Sequence, residues 1–402
     1  MITTRLKTLL TGALALTVAG PALAQDVSLA HDKPFWEAGW AATGAEAGFT
    51  PTAYPTDQYV GFIQSSVTAG TQPGLFTWWT GRALEDLAKS GGIAPVDDVW
   101  DAAIAAGEFP AGIRDLFSVD GTAYAIPVNV ARWVVLYNKT IFAQHGIEEP
   151  TTWAEFEAVM AKLKEAGVTP INATVQDGWR GFIWFQELMI RTNPEAYAGL
   201  HRGEVAYNSP EVKEVFDIWT DWASKGYFSD ARSTTEAEDF AGGKAGMYLI
   251  GEWIIGGLTE SGMNVDTDLG VFFMPNRDPA APSSLIVEGG PLVLSAKATD
   301  ADRTAFNYWT TAGAANTWAN SMGLFNGNLN VAPPNPVVAE VTAEMSEKGT
   351  IAIQRWWEAV PTDIRGDLVA ELSGFLLNPT AEQAATAMEN MEALNADYWA
   401  NQ

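Results

Sequence analysis

Over the first eighty residues, short apolar runs of strand length alternate with longer stretches whose apolar positions recur at helical spacing. Residues 27–30 read as a strand, and Pro34 suits the first position of a helix that runs to about Glu46. Residues 49–54 read as a second strand, Pro55 opens a helix to about Thr68, and residues 75–79 form a third strand. This β-α-β-α-β order predicts a parallel sheet with helices on both faces, an α/β fold. Further on, residues 124–127 and 133–137 read as two strands, with 128–132 between them. Thr152 followed by Glu155 has the pattern of a capping box at the start of a helix that stops at Gly167. Residues 178–191 read as an aromatic-rich helix and 210–224 as an amphipathic one. Residues 285–295 read as a strand pair broken at Glu288-Gly289-Gly290-Pro291, and 316–336 as irregular.

The stretch 240–253, FAGGKAGMYLIGEW, concentrates several of these signals. Glycines at 242, 243 and 246 let the backbone turn, and residues 247–250 form an apolar run of strand length. Gly251 ends the run and leaves Trp253 at the strand's carboxyl end, where ligands of open α/β sheets sit. An indole in that place is either a lid on the core or a platform for a ligand. The same pattern recurs at Trp78-Trp79 before Gly81-Arg82, at Arg132-Trp133, at Asp177-Gly178-Trp179 and at Arg355-Trp356-Trp357. An indole stacks on the C–H face of a sugar ring, while carboxylates, amides and guanidinium groups satisfy the hydroxyls. The same indoles would also box a quaternary ammonium.

Composition narrows the choice. The 402 residues include 17 tryptophans and no cysteine, so the fold rests on its core rather than on disulfides. A net charge of −26 disfavours nucleic acid and anionic membranes as partners. Residues 1–24 have a basic start, an apolar stretch and Ala22-Leu23-Ala24, the pattern of a cleaved secretory signal. No cysteine follows it to carry a lipid, which points to an unanchored periplasmic protein. The remaining length suggests two lobes. His31, His145 and His201 lack metal-ligand spacing, and no nucleotide-binding or nucleophile-elbow motif occurs. Glu252 and Glu288 leave open a glycoside hydrolase with an acid and a nucleophile.

Five motifs in order carry a resemblance: residues 72–79 (QPGLFTWW), 124–127 (YAIP), 136–139 (LYNK), 152–156 (TWAEF), and Phe240 with 243–247 (GKAGM) and 251–253 (GEW). With these the whole mature chain resembles the extracellular solute-binding proteins of ABC importers, in the carbohydrate group that includes maltose-binding protein. The resemblance implies a two-lobed periplasmic-binding-protein fold of the class II type that closes on its ligand. The lobes implied are 25–129 plus 276–324 and 130–275 plus 325–402, with crossings near 129–133, 273–276 and 324–328. It places Trp78, Trp79, Trp133, Trp179 and Trp253 at the cleft, with Arg82, Arg132, Asp177, Gly289 and Gly290. Asp32 and Trp36 after the first strand, and Arg355 and Trp356, complete the expected contacts. It further implies a sugar ligand, a membrane permease as partner, a monomer, and no cofactor, metal or covalent chemistry. A polyol, an osmolyte or an anionic sugar remains open as ligand; convergence of Arg82, Arg132 and Arg355 would favour an anion, and an aromatic box without arginine a cation.

Overall fold

A computed structural model describes residues 27–33 and 36–402; the expected signal segment and Pro34 lie outside the described residues. The strands are β1 (Val27–His31), β2 (Phe49–Ala53), β3 (Leu75–Thr77), β4 (Ser118–Val119), β5 (Thr122–Ala123), β6 (Ala125–Asn138) and β7 (Thr169–Asn172). They continue with β8 (Ala245–Gly251), β9 (Leu269–Phe272), β10 (Ser284–Leu294) and β11 (Ile351–Gln354). The expected β-α-β-α-β start is present: β1 lies between β2 and β3, parallel to both. The strand order is β2-β1-β3-β10-β6-β8-β7, with β9 on β6, β11 on β10, and β4-β5 a separate hairpin.

Two hydrophobic cores divide the chain. One gathers Val27 to Val130 with Val287, Leu292 to Leu294 and onward to Leu324. The other gathers Trp133 to Met274 with Leu285, Ile286 and Val337 to Met391. Two long strands run through both. β6 pairs antiparallel with β10 as far as Arg132, then with β8 from Trp133 onward. β10 pairs with β11 over Ser284–Val287 and with β3 over Leu292–Leu294. The expected break at 128–132 is absent. All of β6 is buried, and its ladder with β10 slips once, at Val128, without ending. Glu288-Gly289-Gly290-Pro291 likewise does not split its strand but produces a register shift, where Pro291 stands opposite Pro127. Two prolines facing one another have no N–H to exchange, so the ladder slips instead of ending.

The first crossing is therefore the middle of β6. The second lies within β10, between Ile286 and Val287, further along than 273–276, because Phe273, Met274, Leu285 and Ile286 all pack in the second core. At the third, the Phe325 carbonyl accepts from Val130 N–H at 2.7 Å. The stretch expected to be irregular after residue 316 is in part helical: Thr311 caps the helix Ala312–Met322, which ends at Gly323 with φ 64°. The expected capping box is present at the helix Trp153–Glu165, where Thr152 accepts from Glu155 N–H and Glu155 accepts from Thr152 N–H. Ser209 caps the helix Pro210–Ser224. The aromatic-rich segment starts later than expected, in two tight turns that precede the helix Ile183–Thr192.

Candidate ligand-binding cleft

β8 is buried along its whole length and stops at Gly251. A Cβ on Gly251 would stand 2.3 Å from Trp253 Nε1, so glycine is what allows the indole to fold back over the strand end. Trp253 is half-buried and packs against the side chains of both cores. Its Nε1 donates to Glu288 Oε2 at 3.2 Å, and Trp133 Nε1 donates to the same oxygen at 3.3 Å. Arg355 Nη1 approaches that oxygen at 2.8 Å. Glu288 belongs to β10, opposite Ala131 of β6, beside the crossing between lobes. Its side chain keeps 23% exposure, and burial holds its carboxyl above the usual carboxylate range, against the pull of Arg355.

Around this carboxylate the second lobe builds an aromatic wall. Trp179 lies 6.0 Å from Trp253 and 6.4 Å from Trp133, and Trp133 lies 6.3 Å from Trp253. Phe182 backs the group, 6.1 Å from Trp179 and 5.6 Å from Trp356. Arg180 covers the Trp179 ring at 4.6 Å while pairing with buried Glu236. From the first lobe, Lys33 Nζ bonds Asp32 at 2.9 Å and lies 5.2 Å from the centre of the half-buried Trp79 ring.

The remaining sequence-derived residues separate by depth. Trp133 and Trp356 are fully buried and form the back of the wall rather than its surface. Trp78 turns into the first lobe, its Nε1 donating to the Ala83 carbonyl at 2.9 Å. Trp36 is buried at 5.5 Å from Trp318 and lies against Gly290, where a Cβ would come within 3.3 Å of its ring. Gly289 runs under Phe117 and Thr80, each 3.0 Å from an added Cβ, so the two glycines form a close-packed floor. Asp32 is buried, and Asp177 is exposed with φ 60°. Lys33 is not among the sequence-derived site residues and Glu288 is there only as a hydrolase carboxylate; Lys33 contributes from the first lobe and Glu288 from the strand that crosses between lobes. Trp357 was also not chosen. Trp356 and Trp357 are adjacent in one turn of helix, and only packing decides which is buried.

The three arginines do not converge unpaired. Arg132 donates to both oxygens of Glu252, with Nη2 at 2.6 Å from Oε1, and its backbone N–H reaches Oε2 at 3.0 Å. Arg355 is held by Glu288 and by Glu358, at 2.7 Å through Nε. Arg82 pairs with Glu85 at 3.0 Å, and its Nη2 donates to the His201 carbonyl across the lobes at 3.2 Å. Each cation is thus matched by a partner at hand. Glu252, with both oxygens taken, is not free to act as the acid of a hydrolase.

His201 stands where the lobes meet. Burial drives its pKa down to about 3, helped by Arg202 and Arg82, and His31 is shifted the same way by burial. The His201 ring is therefore neutral in the fold, whereas an unfolded histidine takes a proton below about 6.5. The unfolded chain then binds more protons, so stability falls as pH drops from about 6.5 toward 5 and beyond. We expect unfolding free energy measured between pH 7 and 5 to decline, and the slope to be reduced in His201→Gln. An unchanged slope would mean that the imidazole titrates normally.

An interlobe cavity of about 390 Å³ lies beside the wall, lined by Trp78, Trp79 and Asp86 from the first lobe and Trp357, Thr362 and Arg365 from the second. A larger one, about 650 Å³, borders Arg82, His201 and Gln354 and has no tryptophan in its lining.

Residues 33–345 match the family model of the bacterial extracellular solute-binding proteins, and the chain belongs to that family. An ABC transporter extracellular-binding protein of Pyrococcus horikoshii is 26% identical over 82% of this chain and 76% of its own length. A probable sugar-binding periplasmic protein of Rhizobium meliloti is 30% identical, but over 48% of each chain, so this chain spans about half the length of that relative. Among solved structures, the bacterial solute receptor AcbH, described as having an exclusive preference for β-D-galactopyranose, superposes with a TM-score of 0.80. It is 24% identical over 93% of this chain and 99% of its own, a likeness that establishes the two-lobed fold. Among the described residues no helix is long and apolar enough to cross a membrane.

Proposed function

We propose that the chain is the periplasmic sugar-capturing component of an ABC importer, and that it does no covalent chemistry. The observation that carries this reading is the arrangement of half-buried indoles. Trp79 of one lobe and Trp357 of the other line the interlobe cavity, and Phe182, 5.8 Å from Trp357 and 6.1 Å from Trp179, connects it to the indoles of Trp179 and Trp253 around Glu288. Flat aromatic faces with a few fixed polar groups suit a sugar ring, whose C–H face stacks while its hydroxyls bond. A ligand touching both lobes makes its full set of contacts only when they are closed, and so shifts the open–closed equilibrium. The closed form is then the one presented to the permease. The pairing of Glu252 with Arg132 weighs against the hydrolase reading. The acidic charge fits a monomer that does not engage nucleic acid. A thermal-shift screen of neutral and acidic sugars, polyols and betaines tests the reading. A stabilising shift with a sugar supports it, and shifts confined to betaines overturn it.

A further inference from the structure

Arg365 is unlike the other arginines at the cleft. It lies in the first turn of the helix Thr362–Leu377, and Pro361, which precedes that helix, provides no side-chain cap. The residue is only 7% exposed, yet its Nε and Nη2 atoms have no hydrogen-bond partner. The guanidinium lies 5.2 Å from the centre of the Trp357 ring and borders the 390 Å³ interlobe cavity. Its pKa is pushed down to about 10 by burial, against the pull of Glu358 and Asp86. Neither carboxylate bonds it. Glu358 holds Arg355, and Asp86 accepts from the Thr362 hydroxyl at 3.0 Å. A desolvated cation with free donors is costly unless an anion completes it. The helix start adds uncapped N–H groups and a favourable dipole for negative charge. The cavity is at the small end of ligand pockets, which run from about 300 to 1,000 Å³.

Resting on the sugar-capture reading, we propose that the ligand is a small saccharide bearing one anionic group, and that Arg365 receives that group between Trp79 and Trp357. A planar guanidinium binds a carboxylate or a phosphate through paired N–H donors, and both are shorter and stronger bonds than those to neutral hydroxyls. An indole on either side stacks the ring that carries the charge.

Calorimetry on the full mature chain with D-galacturonate, D-galactose and sn-glycerol 3-phosphate tests this. The expected result is that galacturonate binds at least about tenfold more tightly than galactose. In Arg365→Gln the ratio of the two affinities should collapse toward one, and Arg365→Lys should restore part of it. A purely structural role for Arg365 would lower both affinities and leave their ratio in place, which would overturn the proposal, as would galactose binding as tightly as galacturonate to the parent chain. Binding of galactose alone retains sugar capture and overturns the anion. Binding of glycerol phosphate alone retains the anion but overturns the saccharide. Far-UV dichroism of the Arg365 variants confirms that the ratio is read on folded protein.

Discussion

Trp253→Ala is expected to weaken ligand binding by about one to two orders of magnitude while the chain stays folded. The indole contributes twice. Its face is half-buried in the cleft and packs against both cores, and its Nε1 donates to Glu288 at 3.2 Å. Aromatic contacts are worth about 0.5–1.5 kcal/mol beyond area burial, and a hydrogen bond to a charged group about 1.5–3 kcal/mol. The hydrogen bond lies within the protein and reaches the ligand only by fixing Glu288 and the plane of the indole, so lost stacking, lost apolar burial and lost positioning together come to about 2–3 kcal/mol. Removing the donor also affects the carboxylate. Burial already raises its pKa, and losing one N–H raises it further. Trp253→Phe retains most of the stacking and loses only the N–H, so the two contributions separate. Calorimetry with whichever ligand the screen identifies, alongside denaturant unfolding of each variant, supplies the measurement. Unchanged affinity in the alanine variant would show that the indole is a lid on the core and no platform.

Breaking the Arg132–Glu252 pair should have the largest effect on stability. Arg132→Met leaves Glu252, only 5% exposed, without the guanidinium that holds both of its oxygens. Removing one partner of a buried pair costs about 3–5 kcal/mol, because the other charge stays desolvated. The loss falls at the crossing itself: Arg132 also bonds the Thr342 hydroxyl at 3.0 Å and the Val338 carbonyl at 3.3 Å, tying β6 to the helix Pro336–Lys348. The double variant Arg132→Met with Glu252→Leu should recover much of the loss, since an apolar pair of similar volume often replaces an ion pair at little cost. Denaturant midpoints of the parent, both single variants and the double variant complete the cycle. If Arg132→Met costs under about 1 kcal/mol, the guanidinium is not a structural tie.

These two residues illustrate what a linear reading resolves. Both stood out as polar or aromatic groups next to strand ends, and the resemblance put both at the cleft. At Trp253 the local pattern was enough to place the residue at a strand end. A buried strand, a terminating glycine and an indole in succession allow few arrangements, because the glycine must admit the returning ring. At Arg132 the pattern gave no hint of a partner 120 positions away. An arginine next to a tryptophan reads the same whether it faces solvent, ligand or a buried carboxylate. Only the pairing of β6 with β8 brings Glu252 into reach.

What the sequence determined by itself was local and repetitive. The alternation of strand and helix, the Thr152 cap, and five ordered motifs were sufficient for the α/β class and the two-lobed family. Each depends on neighbours within a few residues, or on order along the chain, which a linear text records directly. The tertiary structure decided everything that depends on partners distant in sequence. It made β6 and β10 continuous through both lobes, since burial and pairing on both sides outweigh the glycines and prolines that suggested breaks. It sorted adjacent tryptophans into buried and facing members, and it gave Arg82, Arg132 and Arg355 their partners while leaving two nitrogens of Arg365 without one. The physical reason is that charge pairing and side-chain depth are settled by packing between elements, and packing has no signature in the order of residues along the chain.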